Sequence, residues 1–454
     1  MSKPLLAIDI GSSKVSVVIA ELKDGRVHVV GTGVAKSQGV RKGTITNIEL
    51  TSRSIRQALS DAKRLAGTMA PKAVISISGA YTRSINSSGI VNIPQQEIGT
   101  KEINRVMQTA LYNANIPNEY EVLHVLPYNF KVDEQEFIED PFGMNASRLE
   151  VDTHIITTQK SNLSNLKKAV KSAGVEIDSV VLAGYASAIS VLGDDEKELG
   201  VCVIDMGGST CEMVVHSGNS IRFNTFLAVG SNHITNDLSM ALHTPLHVAE
   251  KIKLDYGSLK TPSNELIEIP VIGDENENHE VSLEIVYNVI QARVQETLMI
   301  LAKELEKSNL KEQIGAGIVL TGGMTKLEGI RELAMAIFDN MPVRIAKPKK
   351  LEGDFEPLYD QAFATVTGLL EYASGGYTKY EIDSNRKMLH QNGLMPPDEG
   401  DIDDISLTSE NKDEPGNLKN DEIKQTLARV AQEDEKESIG QKIKKMWHWM
   451  TQIF

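Results

Sequence analysis

The sequence predicts an α/β fold with two related lobes, and two observations point to that fold class. Over residues 1–382, apolar runs typical of strands alternate with helix-like stretches, as they do in α/β folds. A strand-turn-strand segment also occurs twice, far apart in the chain, which indicates a duplicated domain. The chain has 454 residues, 41% of them hydrophobic, so each lobe can bury a core of its own.

The elements follow one another in a simple order. The strand-like runs are LLAIDIG (5–11), KVSVVIAEL (14–22), AVISISG (73–79), VCVIDMG (201–207) and GIVLTGG (317–323). The helix-like stretches include 50–66, 161–173 and 283–307. In the last of these helices the spacing predicts a buried face made of Val289, Val294, Leu298, Leu301 and Leu305.

The duplicated segment is LLAIDIGSSKVSVVIAE (5–21), which aligns with VCVIDMGGSTCEMVVHS (201–217) at a constant offset of 196 residues. The matching pairs are Ile8 with Ile204, Asp9 with Asp205, Gly11 with Gly207, Ser13 with Ser209, and Val18 with Val214. Each copy contains a strand, a D-x-G-x-[ST] turn and a second strand, so the repeat predicts two lobes of common origin.

Each repeated turn has the composition of a phosphate-binding site. Glycine after the aspartate lets the backbone bend sharply, and the turn amides can then point at one concave spot. A single turn of this kind is more often an ordinary hairpin turn, but its duplication favours a polyphosphate held from both sides. The predicted binding residues are Gly11, Ser12, Ser13 and Lys14 in the first copy and Gly207, Gly208, Ser209 and Thr210 in the second.

The two aspartates and a third glycine motif complete the predicted site. Asp9 and Asp205 each end an apolar strand, where they are suited to hold a hydrated Mg²⁺ that takes few carboxylates and keeps several waters. Gly322 and Gly323 end the strand-like run of GIVLTGGMTKL (317–327). Paired glycines at a strand end allow the close approach of a flat ligand or a phosphate.

The order of these three motifs resembles the nucleotide-binding signature of the actin, Hsp70 and sugar-kinase superfamily. The resemblance implies a two-lobed actin-like fold of duplicated ribonuclease-H-like domains that binds ATP. It assigns LAGYASAISVL (182–192) and FATVTGLL (363–370) to two connecting helices. It also implies an adenosine site formed by Gly322, Gly323 and Met324, with Glu250 and Lys253 of AEKIKLDYG approaching the ribose and base.

Three further segments are similar to the FtsA family of bacterial cell-division proteins: GVRKGTITNIE (39–49), VLPYNFKVD (125–133) and DPFGMNASRLEVDTHIITT (140–158). The resemblance covers roughly residues 1–380. It implies a first-lobe core at 1–81 and 160–199, an inserted small subdomain at 82–159, a second-lobe core at 200–244 and 316–382, and a second small subdomain at 245–315.

The C-terminal end differs from the rest of the chain in charge. Residues 383–437 are predicted to be a disordered acidic linker, because 398–437 hold fourteen acidic and five basic residues. Residues 438–454 contain three lysines and no acid, and helical spacing gathers their apolar residues on one face. Such a helix is predicted to lie in the headgroup plane of an anionic membrane; the alternative is a helix that docks on the protein's own core or on a partner helix. The predicted membrane-binding residues are Ile439, Lys442, Ile443, Lys444, Lys445, Met446, Trp447, Trp449, Met450, Ile453 and Phe454.

The family resemblance implies an ATP-binding protein that polymerises, anchors the FtsZ ring to the cytoplasmic face of the cell membrane at the septum, and recruits later cell-division proteins. The second small subdomain would bind the C-terminal tail of FtsZ, with Arg293 as a candidate contact. Two alternatives are a pilus or secretion assembly ATPase of the same fold and a small-molecule kinase. No residue pattern identifies a catalytic group, so at most a weak ATPase activity is expected.

Composition excludes several other classes. Two cysteines, Cys202 and Cys211, exclude a disulfide framework and favour a reducing compartment. The sequence has no uncharged apolar run of about 18 residues, so no membrane-spanning helix is expected. A net charge of −15 argues against general nucleic-acid binding, which needs a basic face.

Overall fold

The computed structural model describes residues 2–389, except 68–69, 95–96, 219, 261–263 and 354. The first lobe opens with strands because its apolar side chains lie in runs or alternate with polar ones, as in Arg26–Lys36. Its first helix begins after Asn47, whose side chain accepts the Leu50 N–H, and ends at Gly67, whose φ is +67°. The elements up to this point are β1 (Lys3–Ile10), β2 (Lys14–Lys23), β3 (Arg26–Lys36), β4 (Val40–Arg41), β5 (Thr44–Ile45), α1 (Ile48–Ala66) and β6 (Lys72–Ile77).

A small subdomain is inserted after β6. It has a four-stranded sheet with one helix packed on it, and the helix buries Ile103, Val106, Met107 and Ala110. The elements are β7 (Thr82–Asn92), α2 (Thr100–Asn113), β8 (Tyr120–Val132), β9 (Gln135–Ile138) and β10 (Arg148–Gln159). The strand order is β7-β10-β8-β9. The first lobe then resumes with α3 (Lys160–Ser172), β11 (Glu176–Leu182), α4 (Ala183–Val191) and α5 (Asp194–Leu199).

The second lobe repeats the strand hairpin and adds longer helices. Its elements are β12 (Val201–Met206), β13 (Cys211–Ser217), β14 (Ser220–Leu227), α6 (Ser231–Ala241), α7 (Leu246–Tyr256), β15 (Leu266–Val271), β16 (Asp274–Ser282), α8 (Leu283–Lys307), β17 (Ile318–Thr321), α9 (Ile330–Ile337), β18 (Val343–Ile345) and α10 (Ala364–Ala373). Four of the five residues predicted for the buried face of α8 are buried, and Val289 packs partly buried against the same core. Cys202 and Cys211 are buried in this core.

Both lobes have the same sheet topology. The first sheet has the order β11-β6-β1-β2-β3, and the second, read in the same direction, has β18-β17-β12-β13-β14. Asp9 of β1 lies opposite Ser16 of β2, and Asp205 of β12 lies opposite Glu212 of β13. Both partners in the second pair lie 196 positions after their counterparts. The predicted two-lobed α/β fold with a duplicated core is therefore confirmed.

Two helices, α4 and α10, pack on each other between the lobes. A Cβ atom at Gly368 would lie 1.7 Å from the carbonyl oxygen of Ala186, so the backbones can cross this closely only at glycine. Both segments that resemble connecting helices are helical. Because α4 leads from β11 toward the second lobe, this crossing joins the two lobes.

The folded body extends past the point where the acidic linker was predicted to begin. Ser384 accepts the Val180 N–H through Oγ at 2.9 Å, and Asn385 donates to the Asp178 carbonyl at 2.7 Å. Nearby, the buried Glu381 carboxylate accepts hydrogen bonds from the hydroxyls of Tyr185 and Tyr372. The predicted boundary at 383 is therefore wrong, since residues 383–389 belong to the first lobe.

The rest of the predicted linker and the predicted membrane helix, from residue 390 on, lie outside the described residues. Among the helices that the structure describes, none has the length and apolarity needed to cross a membrane.

Candidate functional site

The two repeated turns face each other across the cleft between the lobes. In the first turn the Gly11 N–H donates to the Lys14 carbonyl at 3.1 Å, and in the second the Gly207 N–H donates to the Thr210 carbonyl at 2.8 Å. A Cβ atom at Gly208 would lie 1.8 Å from Ser13 Oγ. The turns therefore meet so closely that a side chain at this position would displace the Ser13 hydroxyl.

A cavity of about 430 Å³ lies between the turns and the connecting helices. It gathers nearly all the residues predicted to bind a cofactor. They are Asp9, Gly11, Ser12, Ser13, Lys14, Asp205, Gly207, Gly208, Thr210, Glu250, Lys253, Gly322, Gly323 and Met324. Ser209 is the exception: it lines a neighbouring cavity, and its Oγ accepts a hydrogen bond from Asn232 Nδ2 at 3.0 Å.

Asp9 and Asp205 lie on opposite sides of the cavity floor. Burial raises the pKa of Asp9 to about 6, although a hydrogen bond from Ser76 Oγ at 2.8 Å and the charge of Lys14 both oppose the rise. Burial also raises the pKa of Asp205, whose Oδ2 accepts a hydrogen bond from Ser187 Oγ at 2.5 Å. An added cation would favour the ionised form of both groups.

The donor set fits a hydrated magnesium ion. Asp9 Oδ2 and Asp205 Oδ1 accept no hydrogen bond from the residues that the structure describes, so one oxygen of each carboxylate is free for a metal or its water. The described residues include no cluster of three or more His, Cys, Asp or Glu side chains that could enclose an ion. Two carboxylates and retained waters are the usual arrangement for Mg²⁺.

Lys14 is the cation closest to these two aspartates. Burial lowers its pKa to about 8, and the charge of Asp9 is the main influence opposing this. Its Nζ lies 3.2 Å from the centroid of the Phe363 ring, which stacks against the ammonium group. A partly desolvated ammonium group of this kind gains the most from a phosphate because it has lost water already.

Helix α7 and the glycines after β17 form the far end of the cavity. Lys253 is buried and donates from Nζ to Glu250 Oε2 at 2.7 Å and to Thr235 Oγ1 at 2.9 Å. Glu250 keeps 42% of its side chain exposed, so it is the member of the pair that can meet a ligand. Gly322 has a φ of +91°, and a Cβ there would lie 2.3 Å from Asp205 Oδ1.

Glu212, which the sequence motifs did not predict as a site residue, is buried in the wall of this cavity. Its Oε1 accepts hydrogen bonds from Ser78 Oγ at 2.8 Å and the Gly79 N–H at 3.0 Å, and its Oε2 accepts the Gly184 N–H at 2.7 Å. Burial raises its pKa to about 7. One feature of the sequence could have identified Glu212: it is the only carboxylate in the otherwise apolar strand CEMVV of the second repeat, where a charged side chain is unexpected.

Arg293 lies away from the cavity, on α8. Its Nε donates to Asp237 Oδ2 of α6 at 2.6 Å, and its Nη1 donates to Glu296 Oε2 at 2.5 Å. The charge and hydrogen bond of Asp237 hold the pKa of Arg293 above its usual value. The guanidinium is thus engaged within the chain, where it ties two helices of the second lobe together.

Two family models match the chain. One, described as the SHS2 domain inserted in FtsA, matches residues 79–157, and the other, described as cell division protein FtsA, matches residues 202–368. The chain is 40% identical over 413 residues to cell division protein FtsA of Helicobacter pylori, covering 84% of each. It is 30% identical over 397 residues to cell division protein FtsA of Escherichia coli K12, covering 85% of this chain and 94% of the relative.

Solved structures share the fold at low sequence identity. A PilM-PilN type IV pilus biogenesis complex superposes with a TM-score of 0.58 and 16% identity, covering 82% of this chain and 98% of that one. MreB5 of Spiroplasma citri bound to ADP superposes with a TM-score of 0.51 and 14% identity, covering 82% and 96%.

Proposed function

Because the chain belongs to the FtsA family of cell-division proteins, we propose that it binds ATP with Mg²⁺ between its lobes and links the FtsZ ring to the membrane as an actin-like polymer. The observation that carries the nucleotide proposal is the pair of duplicated turns facing one cavity, with Lys14 and two partly buried aspartates in its lining. The shared fold of MreB5 of Spiroplasma citri, solved with ADP, is consistent with it.

The two turns would hold the phosphates with the backbone N–H groups that follow Gly11 and Gly207, whose own N–H groups close the turns, and with the ammonium group of Lys14. Asp9 and Asp205 would take the magnesium ion, which supplies charge neutralisation to the phosphates when bound. Gly322 and Gly323 let the backbone approach a flat base, and Lys253 orients Glu250 toward the ribose. Every one of these groups is presented from a strand end or a helix, so the site is preformed.

Nucleotide binding would bring the lobes together more than it would serve catalysis. Glu212 is the buried carboxylate best placed to act as a base, but both of its oxygens already accept hydrogen bonds from residues 78, 79 and 184. Glu212 would therefore stabilise the contact between the lobes through these hydrogen bonds. At most a weak ATPase activity follows, and closure of the lobes would favour self-association into filaments.

The partner-binding surfaces complete the proposal. The subdomain at 245–315 would bind the C-terminal tail of FtsZ, and Arg293 would contribute through its position on α8 and not as a free cation, since Asp237 and Glu296 already pair with it. Residues 438–454, outside the described part, would attach the polymer to the cytoplasmic face of the cell membrane at the septum. Several weakly bound helices on one filament bind tightly together through avidity, and the filament would then recruit later division proteins.

The membrane role is tested by imaging the purified protein with ATP on an anionic lipid monolayer, with and without residues 439–454. Filaments should form on the lipid with the full chain and be lost with the truncated chain. Co-sedimentation with anionic liposomes should show the same dependence. Equal pelleting of both chains, or monomers off the membrane in both cases, would overturn the anchor proposal.

The nucleotide role is tested separately by calorimetry with ATP and Mg²⁺. Asp205→Asn should weaken Mg²⁺-dependent binding strongly, whereas Asp237→Asn, on the α8 side of the second lobe, should leave it unchanged. If wild type fails to bind ATP, the nucleotide proposal fails whatever the membrane experiment shows.

A further inference from the structure

A second cavity of about 760 Å³ opens beside the nucleotide cavity, on the side of the two phosphate turns. One wall is the β4–β5 hairpin of the first lobe, and the other is the start of α6 in the second. Ser12 and Asn232 line both cavities. The second cavity therefore adjoins the end of the site where the outermost phosphate would lie.

The charge of this cavity is opposite to that of the protein. Arg41 and Lys42 project from the hairpin into the cavity wall, both exposed, and neither forms an ion pair with any residue in the described ranges. None of the residues that line it is an aspartate or a glutamate. In a chain with a net charge of −15, a cavity with two unpaired cations and no lining carboxylate is suited to an anionic ligand.

The hairpin is fixed in place at its tip. Lys42 has a φ of +49° and Gly43 a φ of +77°. A Cβ at Gly43 would lie 2.3 Å from Ser78 Oγ, so the tip is pressed against the first lobe. The Gly43 N–H donates to Ser12 Oγ at 3.3 Å, which attaches the hairpin to the first phosphate turn. The two cations are thus held at a defined distance from the phosphate site.

The cavity is also lined by large apolar side chains. Tyr81 has a φ of +59°, a conformation that a bulky residue rarely adopts, and its side chain is 59% exposed. Leu246 is 55% exposed, and Phe226 also lines the cavity. Strained backbone at an exposed aromatic residue is a feature of binding sites.

We propose that this second cavity binds an acidic peptide segment of a partner protein, with Arg41 and Lys42 pairing with its carboxylates and Tyr81 and Leu246 receiving an apolar side chain. Exposed cations and large exposed apolar side chains in the lining of one cavity suit a peptide better than a small anion, which would leave the apolar side chains uncovered. Since the two walls belong to different lobes, closure around a nucleotide changes the width of the cavity and hence the affinity for the peptide. Only this nucleotide dependence rests on the proposed function.

Fluorescence anisotropy tests the proposal, with a labelled peptide of six acidic residues around one phenylalanine and the full-length protein without nucleotide. The variant R41E/K42E should bind the peptide at least about tenfold more weakly than wild type, equal to about 1.4 kcal/mol. The control K167E/K168E makes the same charge change on α3, away from both cavities, and should bind within about twofold. Tyr81→Ala should weaken binding without changing its salt dependence, and it provides a second variant if the hairpin variant misfolds.

Two results would overturn the proposal. Equal weakening by R41E/K42E and K167E/K168E would show a general charge effect. Loss of the peptide signal in the presence of about 10 mM inorganic phosphate, with Tyr81→Ala binding as wild type, would show a small-anion site. Repeating the titration with ATP and Mg²⁺ tests the peptide site and its nucleotide dependence separately. If ATP does not change the peptide affinity, the second cavity still binds the peptide, but the proposed dependence on nucleotide is wrong.

Discussion

The two repeated hairpins share a strand pairing and differ at two positions that carry polar side chains beside the cleft. In the first, Lys14 follows the turn and Ser16 faces Asp9 across the strands. In the second, the corresponding positions hold Thr210 and Glu212, with Glu212 facing Asp205. The first hairpin therefore brings a cation into the cleft, and the second brings an additional carboxylate.

The difference shows how a duplicated fold acquires an asymmetric site. In the proposed complex the cation of the first hairpin would contact the phosphates, while the extra carboxylate of the second accepts three hydrogen bonds from residues of the first lobe. The strands next to the hairpins differ in the same way. By register, Ile77 at the end of β6 corresponds to Gly322 after β17, so at this position the second lobe has no side chain between a ligand and its backbone.

Gly322→Ala should cause the largest effect. Its Cβ would lie 2.3 Å from Asp205 Oδ1 and 2.6 Å from the Met206 carbonyl, at a φ of +91°. Backbone must move to relieve this contact, so we expect a loss of about 3 kcal/mol in the free energy of unfolding and at least a hundredfold loss of ATP affinity. Denaturant unfolding and calorimetry measure the two effects.

The adjacent Gly323 provides the control, since its Cβ would meet only Ala362 Cβ at an ordinary 3.6 Å. Gly323→Ala should keep nearly full stability. If both variants lost similar amounts of stability and ATP affinity, the close contact at Gly322 would not explain the need for glycine there.

Lys14→Ala should have the next largest effect, and it tests the cation of the first hairpin directly. Loss of a charged hydrogen-bond donor costs about 2 kcal/mol, or about thirtyfold in ATP affinity. Thr210→Ala, at the equivalent position of the second hairpin, should reduce the ATP affinity by less than about tenfold. Because the pKa of Lys14 in the free protein is about 8, wild-type ATP affinity should decline above that pH. A decline of the same size in Lys14→Ala would assign it to another group.

Glu212→Gln should change the pH dependence of stability. Its folded pKa is about 7 against an ordinary 4.5, so the folded state keeps a proton that the unfolded state loses between those values. This contribution to the free energy of unfolding is complete below pH 4.5 and is lost as the pH rises to about 7, at up to about 1.4 kcal/mol per pH unit. Asp9, with a pKa of about 6, acts in the same direction at lower pH.

The measurement is urea unfolding of the nucleotide-free protein from pH 5 to pH 8. Glu212→Gln should have a shallower slope than wild type between pH 6 and 7, and it should be less stable overall because an amide cannot accept all three hydrogen bonds. Glu176→Gln, at an exposed position of β11, serves as the control. An unchanged slope in Glu212→Gln would mean that this carboxylate does not titrate in that range.

The sequence predicted the parts of the site that depend on local pattern. The two turns, their aspartates and the glycines after β17 were visible because each motif is contiguous and the first two repeat. Glu212 was not, because its partners at 78, 79 and 184 come from distant parts of the chain. The same reason explains the wrong boundary at 383: polar composition indicated a linker, but Ser384 and Asn385 are satisfied by the edge of β11.

Ser16→Ala should have the smallest effect, and it tests whether the first hairpin needs a polar group where the second has Glu212. Ser16 is 1% exposed, and its Oγ has no hydrogen-bond partner among the described residues. Removing a buried hydroxyl that makes no hydrogen bond relieves its desolvation cost, so the free energy of unfolding should stay equal or rise by up to about 1 kcal/mol. Glu212→Ala, by contrast, leaves three hydrogen-bond donors without an acceptor and should lower the free energy of unfolding by about 3 kcal/mol. The contrary result in urea unfolding would be that Ser16→Ala lowers the free energy of unfolding by more than about 1 kcal/mol. The first hairpin would then also be stabilised by a polar interaction at this position, and the two hairpins would differ less than their hydrogen bonds indicate.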